Sequence, residues 1–293
     1  MASVAERLAE ARAQLEAAGL SPADAALDAE VLARHVMQWD RAQLIIRARD
    51  SEPQSFGDRL AALIVRRAAR EPVAQIVGHR EFWGLEFEVT PDVLVPRPET
   101  EIIVEEAIDF AKTAPCRTVV DVGTGSGCLA VAIAHEMADT QVAAIDVSPA
   151  ALAVAQRNAS RHGVADRIRF LYGNVLEPLA DAPEPWPTWD ARVDLIVSNP
   201  PYVRDGDAPG LSAEVRDHEP HAALFGGKDG FDVIRQLLDQ AHAHLAAAGR
   251  LVVEFGFGHG DQMIRLAGNA GWTILRVRDD LQGIPRTIVL TRK

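Results

Sequence analysis

Along the first 75 residues the apolar positions recur at helical spacing. Ala25, Ala29, Leu32 and Val36 fall on one face of a helix. Ser21-Pro22-Ala23-Asp24 opens it with a capping-box pattern and a proline in the first turn. A further apolar helix runs from Leu60 through Ile64 and ends before Glu71-Pro72. Residues 1–75 therefore read as a small all-helical domain without a catalytic constellation, with His35 and Trp39 placed in its core or at an interface. Over residues 76–98 the pattern changes. Phe82, Trp83, Leu85, Phe87 and Val89 around Gly84 predict a short hairpin. Leu94-Val95-Pro96-Arg97-Pro98 then predicts an extended, proline-braced stretch before a helix that starts near Thr100. That stretch reads equally as a stiff interdomain linker or as a segment laid across the mouth of a site.

From Arg117 onward, period-2 and continuous apolar runs alternate with helical ones. Strands are predicted at 118–122, 141–146, 168–172, 195–198 and 250–255, with Ser148-Pro149 capping a helix and another helix around 233–245. Two last strands, 272–277 and 287–291, have no helix between them and pair antiparallel. Residues 99–293 are thus an α/β domain: a seven-stranded, mostly parallel sheet with an antiparallel last strand and helices on both faces.

Composition narrows the class. The chain of 293 residues is 48% hydrophobic and 25% charged, as ordinary globular proteins are. No apolar run is long enough for a spanning helix, and the N-terminal residues lack a signal peptide's apolar core, so no membrane association is expected. Cys116 and Cys128 have no metal-ligand spacing, so no metal site is expected and a reducing, cytoplasmic location is. The net charge of −12 is unevenly spread: residues 1–75 carry 10 basic against 11 acidic side chains, the remainder 20 against 31. An acidic α/β half argues against gathering nucleic-acid phosphates.

Candidate chemistry lies at the ends of the first, second and fourth strands. Leu195-Ile196-Val197-Ser198 runs into Asn199-Pro200-Pro201-Tyr202. The prolines donate no backbone hydrogen bond, so their carbonyls stand as fixed acceptors. Asn199 adds a side-chain carbonyl and Tyr202 an aromatic face with a polar tip. Such a slot suits a planar group bearing an NH2, either an amide or a base's exocyclic amine. After the first strand, Gly123-Thr124-Gly125-Ser126-Gly127 has Gly-x-Gly-x-Gly spacing, which differs from the dinucleotide fingerprint. Asp146, ending the second strand, is placed to take two ribose hydroxyls. Past the third strand Asn174 is a candidate for the adenine region with Val175 packing beside it, against the alternative of a plain Gly-Asn turn. Glycine spacing and the neighbouring polar slot together point to S-adenosylmethionine rather than NAD. Cys128 reads as a small buried side chain.

These motifs carry a resemblance. Asp121-Val-Gly-Thr-Gly-Ser-Gly127 with Asn199-Pro-Pro-Tyr202 resembles the Rossmann-like, class I S-adenosylmethionine methyltransferases acting on planar nitrogens. Gly78-His-Arg-Glu-Phe-Trp-Gly84, Val95-Pro-Arg-Pro-Glu-Thr-Glu101 and the 219–230 stretch Glu-Pro…Ala-Leu-Phe-Gly-Gly-Lys-Asp-Gly make it similar to the release factor glutamine methyltransferases of the HemK type. The resemblance implies methylation of the glutamine amide nitrogen in the Gly-Gly-Gln motif of peptide chain release factors. It places cofactor contacts on Gly123, Thr124, Gly125, Ser126, Gly127, Asp146, Asn174 or Val175, and Asn199. It places substrate contacts on Asn199, Pro200, Pro201 and Tyr202, with Asn199, Pro200 and Tyr202 catalytic. The helical domain would dock the body of the release factor. Two rivals are weighed against this. An adenine-N6 DNA or RNA methyltransferase shares the slot but needs base flipping and a basic groove. A degenerate fold used as a binding module predicts an eroded loop or slot, and both are intact.

Overall fold

The computed structural model describes residues 2–179 and 192–293. They form two compact units, one comprising the residues up to His79 together with Ser212–His218, the other Arg80–Leu211 and Glu219–Lys293.

The first unit contains α1 (Val4–Ala17), α2 (Pro22–Met37), α3 (Arg41–Ile46), α4 (Phe56–Ala68) and α5 (Val73–Val77). Its core is built from Val4, Leu15, Leu32, Phe56, Leu60 and Ile64, each at most 2% exposed. Ser21 caps α2 by accepting from the Asp24 amide at 3.1 Å. The expected reciprocal capping box is not completed, because the shorter Asp24 side chain takes the Ser21 hydroxyl at 2.7 Å instead of the backbone N–H. Buried Arg67 on α4 donates to Asp28 (2.6 Å) and to Glu214 (3.0 Å), Arg70 donates to Glu214, and the Gln75 amide donates to the His218 carbonyl. These bonds hold the Ser212–His218 segment within the helical unit.

The second unit opens with a hairpin, β1 (His79–Phe82) and β2 (Leu85–Glu88), followed by α6 (Glu101–Thr113) after a single 3-10 turn over Pro98–Thr100. The alternating region then supplies β3 (Thr118–Val122), α7 (Cys128–Glu136), β4 (Gln141–Asp146), α8 (Pro149–Arg161), β5 (Ile168–Tyr172) and β6 (Val193–Ser198). It continues through α9 (Ala213–His218), α10 (His221–Leu224), α11 (Asp232–His244), β7 (Leu245–Glu254), α12 (Gly260–Asn269), β8 (Trp272–Asp279) and β9 (Pro285–Arg292), of which α9 belongs to the helical unit. The sheet order is β5-β4-β3-β6-β7-β9-β8. Pairing is parallel from β5 to β7, and β9 runs antiparallel between β7 and β8. Val119, Val120, Leu195, Ile196, Val197 and Val252 are fully buried, which explains the continuous apolar runs of the central strands. The order reverses between β3 and β4 on one side and β6 on the other, a switch point that opens a crevice at the strands' carboxyl ends.

Candidate active site

The crevice is a cavity of about 200 Å³ lined at the ends of β3, β4, β5 and β6. Gly123 and Gly125 line it from the loop after β3, Asp146 from β4, Asn174 and Val175 from beyond β5, and Asn199, Pro200 and Pro201 from beyond β6. Asp92, Val93 and Leu94 close another side. Of the proline-braced stretch, Leu94 lines the cavity, whereas Val95, Pro96, Arg97 and Pro98 are not among its lining residues.

The glycine loop is folded by backbone freedom and tied at both ends. Gly123, Gly125 and Gly127 take positive φ of 73°, 54° and 81°, a region costly for side-chain-bearing residues. The amides of Gly123 and Thr124 donate to the Ile145 carbonyl at 2.9 and 3.0 Å. Buried Asp121 accepts from the Thr124 hydroxyl (2.6 Å) and the Ala130 amide (3.2 Å). Burial pushes the Asp121 carboxyl up to about 7. Asp146 accepts from the Gly125 amide (2.8 Å) and the Ser148 amide (2.9 Å); burial raises its pKa, against the lowering effect of these bonds. An ionised carboxylate has about four lone-pair positions, so Asp146 keeps acceptor capacity toward the cavity. The expected loop contacts divide: Gly123 and Gly125 face the cavity, whereas Thr124, Ser126 and Gly127 are not among its lining residues. Thr124 serves Asp121, the Ser126 carbonyl accepts from Asn158 at 2.8 Å, and Gly127 lies against Ala155 of α8.

Asn174 and Val175 both face the cavity. The Asn174 amide donates to Glu177 and Gln236, and Val175 is buried with φ +48°. Cys128 is half-buried rather than fully buried, and desolvation pushes its thiol up to about 12.

At the end of β6, Ser198 donates to the Val122 carbonyl at 2.8 Å and locks the strand beside β3. Asn199 is half-buried and its Nδ2 donates to Thr100 Oγ1 at 2.9 Å. Thr100 in turn donates to Glu254 Oε2 at 2.7 Å. Tyr202 is not among the cavity's lining residues; its hydroxyl points to Glu254 Oε1 at 3.5 Å, and burial raises its pKa. The polar tip of Tyr202 is thus directed at Glu254 rather than at a residue lining the cavity. Sequence reasoning also missed Thr100 and Glu254. The signal for Glu254 was available: an acid ending an apolar strand, as Asp146 does.

A second loop sets the slot's backbone. Ideal Cβ atoms at Gly226 and Gly230 would lie 2.4 Å from the Pro201 carbonyl and 2.3 Å from the Tyr202 carbonyl. The Gly226 amide donates to the Val203 carbonyl and the Val203 amide to the Leu224 carbonyl. Arg97 pairs with buried Glu219 at 2.6 Å, and the adjacent Pro220 lines the cavity. His218 lies outside this unit and His221 packs edge-on against Phe225, so neither is among the lining residues. Among the described residues there is no cluster able to hold a metal ion, and no helix is long and apolar enough to cross a membrane.

The donor set fits S-adenosylmethionine. Positive-φ glycines leave backbone open to close approach, an acidic acceptor ends the second parallel strand, and buried apolar Val175 stands beside Asn174.

Comparison with known proteins agrees. Residues 6–78 match the family described as PrmC N-terminal domain and residues 101–214 the Methyltransferase small domain. A release factor glutamine methyltransferase of Cereibacter sphaeroides is 43% identical over 97% of this chain and 96% of its own length. One of Geobacter sulfurreducens is 41% identical over 90% and 89%. The catalytic domain of hMettl16, solved with the MAT2A 3'UTR hairpin 6, shares the fold at TM-score 0.52 and 14% identity, covering 82% of each chain. With relatives this similar along nearly its whole length, the chain is an S-adenosylmethionine-dependent methyltransferase and belongs to the release factor glutamine methyltransferase family.

Proposed function

We propose that this protein methylates the side-chain amide nitrogen of the glutamine in the Gly-Gly-Gln motif of peptide chain release factors. The observation that carries the reading is the placement of Asn199 and Pro200 on the same cavity as Gly123, Gly125 and Asp146. The names of the relatives support the choice of substrate.

An amide nitrogen is a poor nucleophile because its lone pair is delocalised into the carbonyl. Asn199 Oδ1 and the Pro200 carbonyl are acceptors fixed at the end of a buried strand, and each takes one N–H of the substrate amide. With both N–H bonds engaged, the nitrogen lone pair is left to meet the methyl donor, and its delocalisation is weakened by any pyramidalisation the two acceptors impose. S-adenosylmethionine supplies, when bound, an electrophilic methyl carbon on a sulfonium. Gly123, Gly125 and Asp146 would hold it, with Asn174 and Val175 available to its adenine. The chain contributes positioning and preorganised dipoles, which suffice for an in-line displacement. No strong base is needed, since an N-alkylated amide sheds its extra proton readily to water.

The test is methyl transfer from labelled cofactor to an intact release factor, to its variant with the motif glutamine replaced by alanine, and to duplex DNA. Label is expected on the first alone. Equal labelling of the alanine variant, or of the DNA, would overturn the reading.

A further inference from the structure

Asn199 is asked to present an oxygen to the substrate, yet its side chain carries an NH2 of the same size on the other side. Something must fix which of the two faces the cavity. Thr100 Oγ1 lies 2.9 Å from the Asn199 amide and 2.7 Å from Glu254 Oε2. Thr100 and Glu254 are each 2% exposed, which leaves little access for water to compete. A hydroxyl has one proton to give and can accept in return. An ionised carboxylate only accepts, so the Thr100 proton goes to Glu254, and the Thr100 oxygen is left to accept from Asn199 Nδ2. The Asn199 oxygen is thereby turned away from Thr100.

We propose that Thr100 and ionised Glu254 form a polarity relay that sets the amide orientation of Asn199 and so makes it an acceptor for the substrate NH2. They are positioning residues, acting through Asn199, and the inference rests on the amide-nitrogen reading of the site. The relay reverses if Glu254 takes a proton. A neutral carboxyl donates to Thr100, Thr100 then donates to Asn199 Oδ1, and the flipped amide offers N–H to a substrate that also has only N–H to offer.

That reversal falls within reach of ordinary pH. Burial pushes the Glu254 carboxyl up to about 7, against the lowering effect of its Thr100 bond. The charged and titratable groups facing it are Glu99 in the 3-10 turn, which raises it, Arg286 on β9, which lowers it, and Tyr202 after β6, whose hydroxyl also lowers it. Cys128 on α7 also senses the Glu254 charge and stays a neutral thiol near pH 7.

The experiment is single-turnover methylation of an intact release factor by the full-length enzyme, with cofactor affinity measured separately by calorimetry. Thr100→Val keeps the side chain's shape and removes both halves of the relay. The methyl-transfer rate should fall about tenfold to a hundredfold, the scale of one misoriented preorganised contact. Cofactor affinity should stay within about twofold, and Thr100→Ser should recover most of the rate, since only the hydroxyl matters. For the wild type the rate should rise with pH through about 7 and then level. In Glu254→Gln, which cannot titrate, that ascending limb should vanish. This pH comparison stands even if Thr100→Val proves unstable. A Thr100→Val enzyme as fast as wild type, a serine variant as slow as the valine one, or an ascending limb that survives in Glu254→Gln would each overturn the relay. A wild-type enzyme that methylates no glutamine amide would instead overturn the reading on which the relay rests.

Discussion

Asp146 shows how one side chain serves two ends. Its oxygens hold the Gly125 and Ser148 amides, so it shapes the glycine loop, and it also lines the cavity. Ribose hydroxyls are the same in ground and transition states, so contacts to them act on binding. Asp146→Ala should therefore raise the cofactor KM about tenfold or more with a smaller effect on kcat, as steady-state kinetics would show. Unchanged cofactor affinity would remove Asp146 from the binding set. At this scale the sequence was informative where chemistry leaves a local mark. Glycine spacing, a strand-ending acid and an Asn-Pro-Pro-Tyr run located Gly123, Gly125, Asp146, Asn199, Pro200 and Pro201, all of which the structure brings to one cavity. It was uninformative where a role depends on a partner far along the chain. Thr100 reads as a helix-start residue, and its bonds to Asn199 and Glu254 span 99 and 154 positions. The contact of the Tyr202 hydroxyl with Glu254 likewise joins residues 52 positions apart.

Among the elements, the strands were legible because burial on both faces writes itself as short continuous apolar runs, as in Val119-Val120 of β3 and Leu195-Ile196-Val197 of β6. Their lateral order was not. Nothing local says that β9 enters between β7 and β8, because that choice is made by sheet packing rather than by either strand's own residues. The turn after β6 is an element held by another element. Gly230 has φ +81°, and a Cβ there would sit 2.3 Å from the Tyr202 carbonyl, so the loop at 226–230 acts as a mould for the Pro-Pro-Tyr backbone. Gly230→Ala must push that backbone aside or abandon its own conformation. The expected outcome is a loss of turnover of at least about tenfold, since small misplacements of positioned groups cost that much or more. Cofactor affinity should change little, because Gly123, Gly125 and Asp146 lie on other strands. Gly206→Ala is the control, as a Cβ there meets nothing within 4 Å and its φ is ordinary. Equal activity of the two variants would show that the mould is not needed.

For the whole molecule, the question is what the helical unit contributes. It holds no group of the cavity, and its net charge is close to zero. It does expose large apolar side chains: Ile45 is 68% exposed and Ile46 79%, side by side at the end of α3. A glutamine in a short glycine-rich motif offers few atoms for recognition. Selecting it over other glutamines needs binding energy from elsewhere on the substrate, which remote contacts convert into orientation at the reacting amide. We propose that the helical unit supplies it. Removing residues 1–75 is a poor test, because Arg67, Arg70 and Gln75 hold the Ser212–His218 segment and their loss would strip its partners. Surface substitution avoids that cost. The double variant Ile45→Ser, Ile46→Ser should keep its melting temperature, since neither side chain is buried. Its kcat/KM toward an intact release factor should fall about tenfold or more, whereas a short Gly-Gly-Gln peptide, which lacks the body of the release factor, should be methylated as poorly by the variant as by the wild type. If the variant methylated the intact release factor as well as the wild type does, docking would have to lie on another surface.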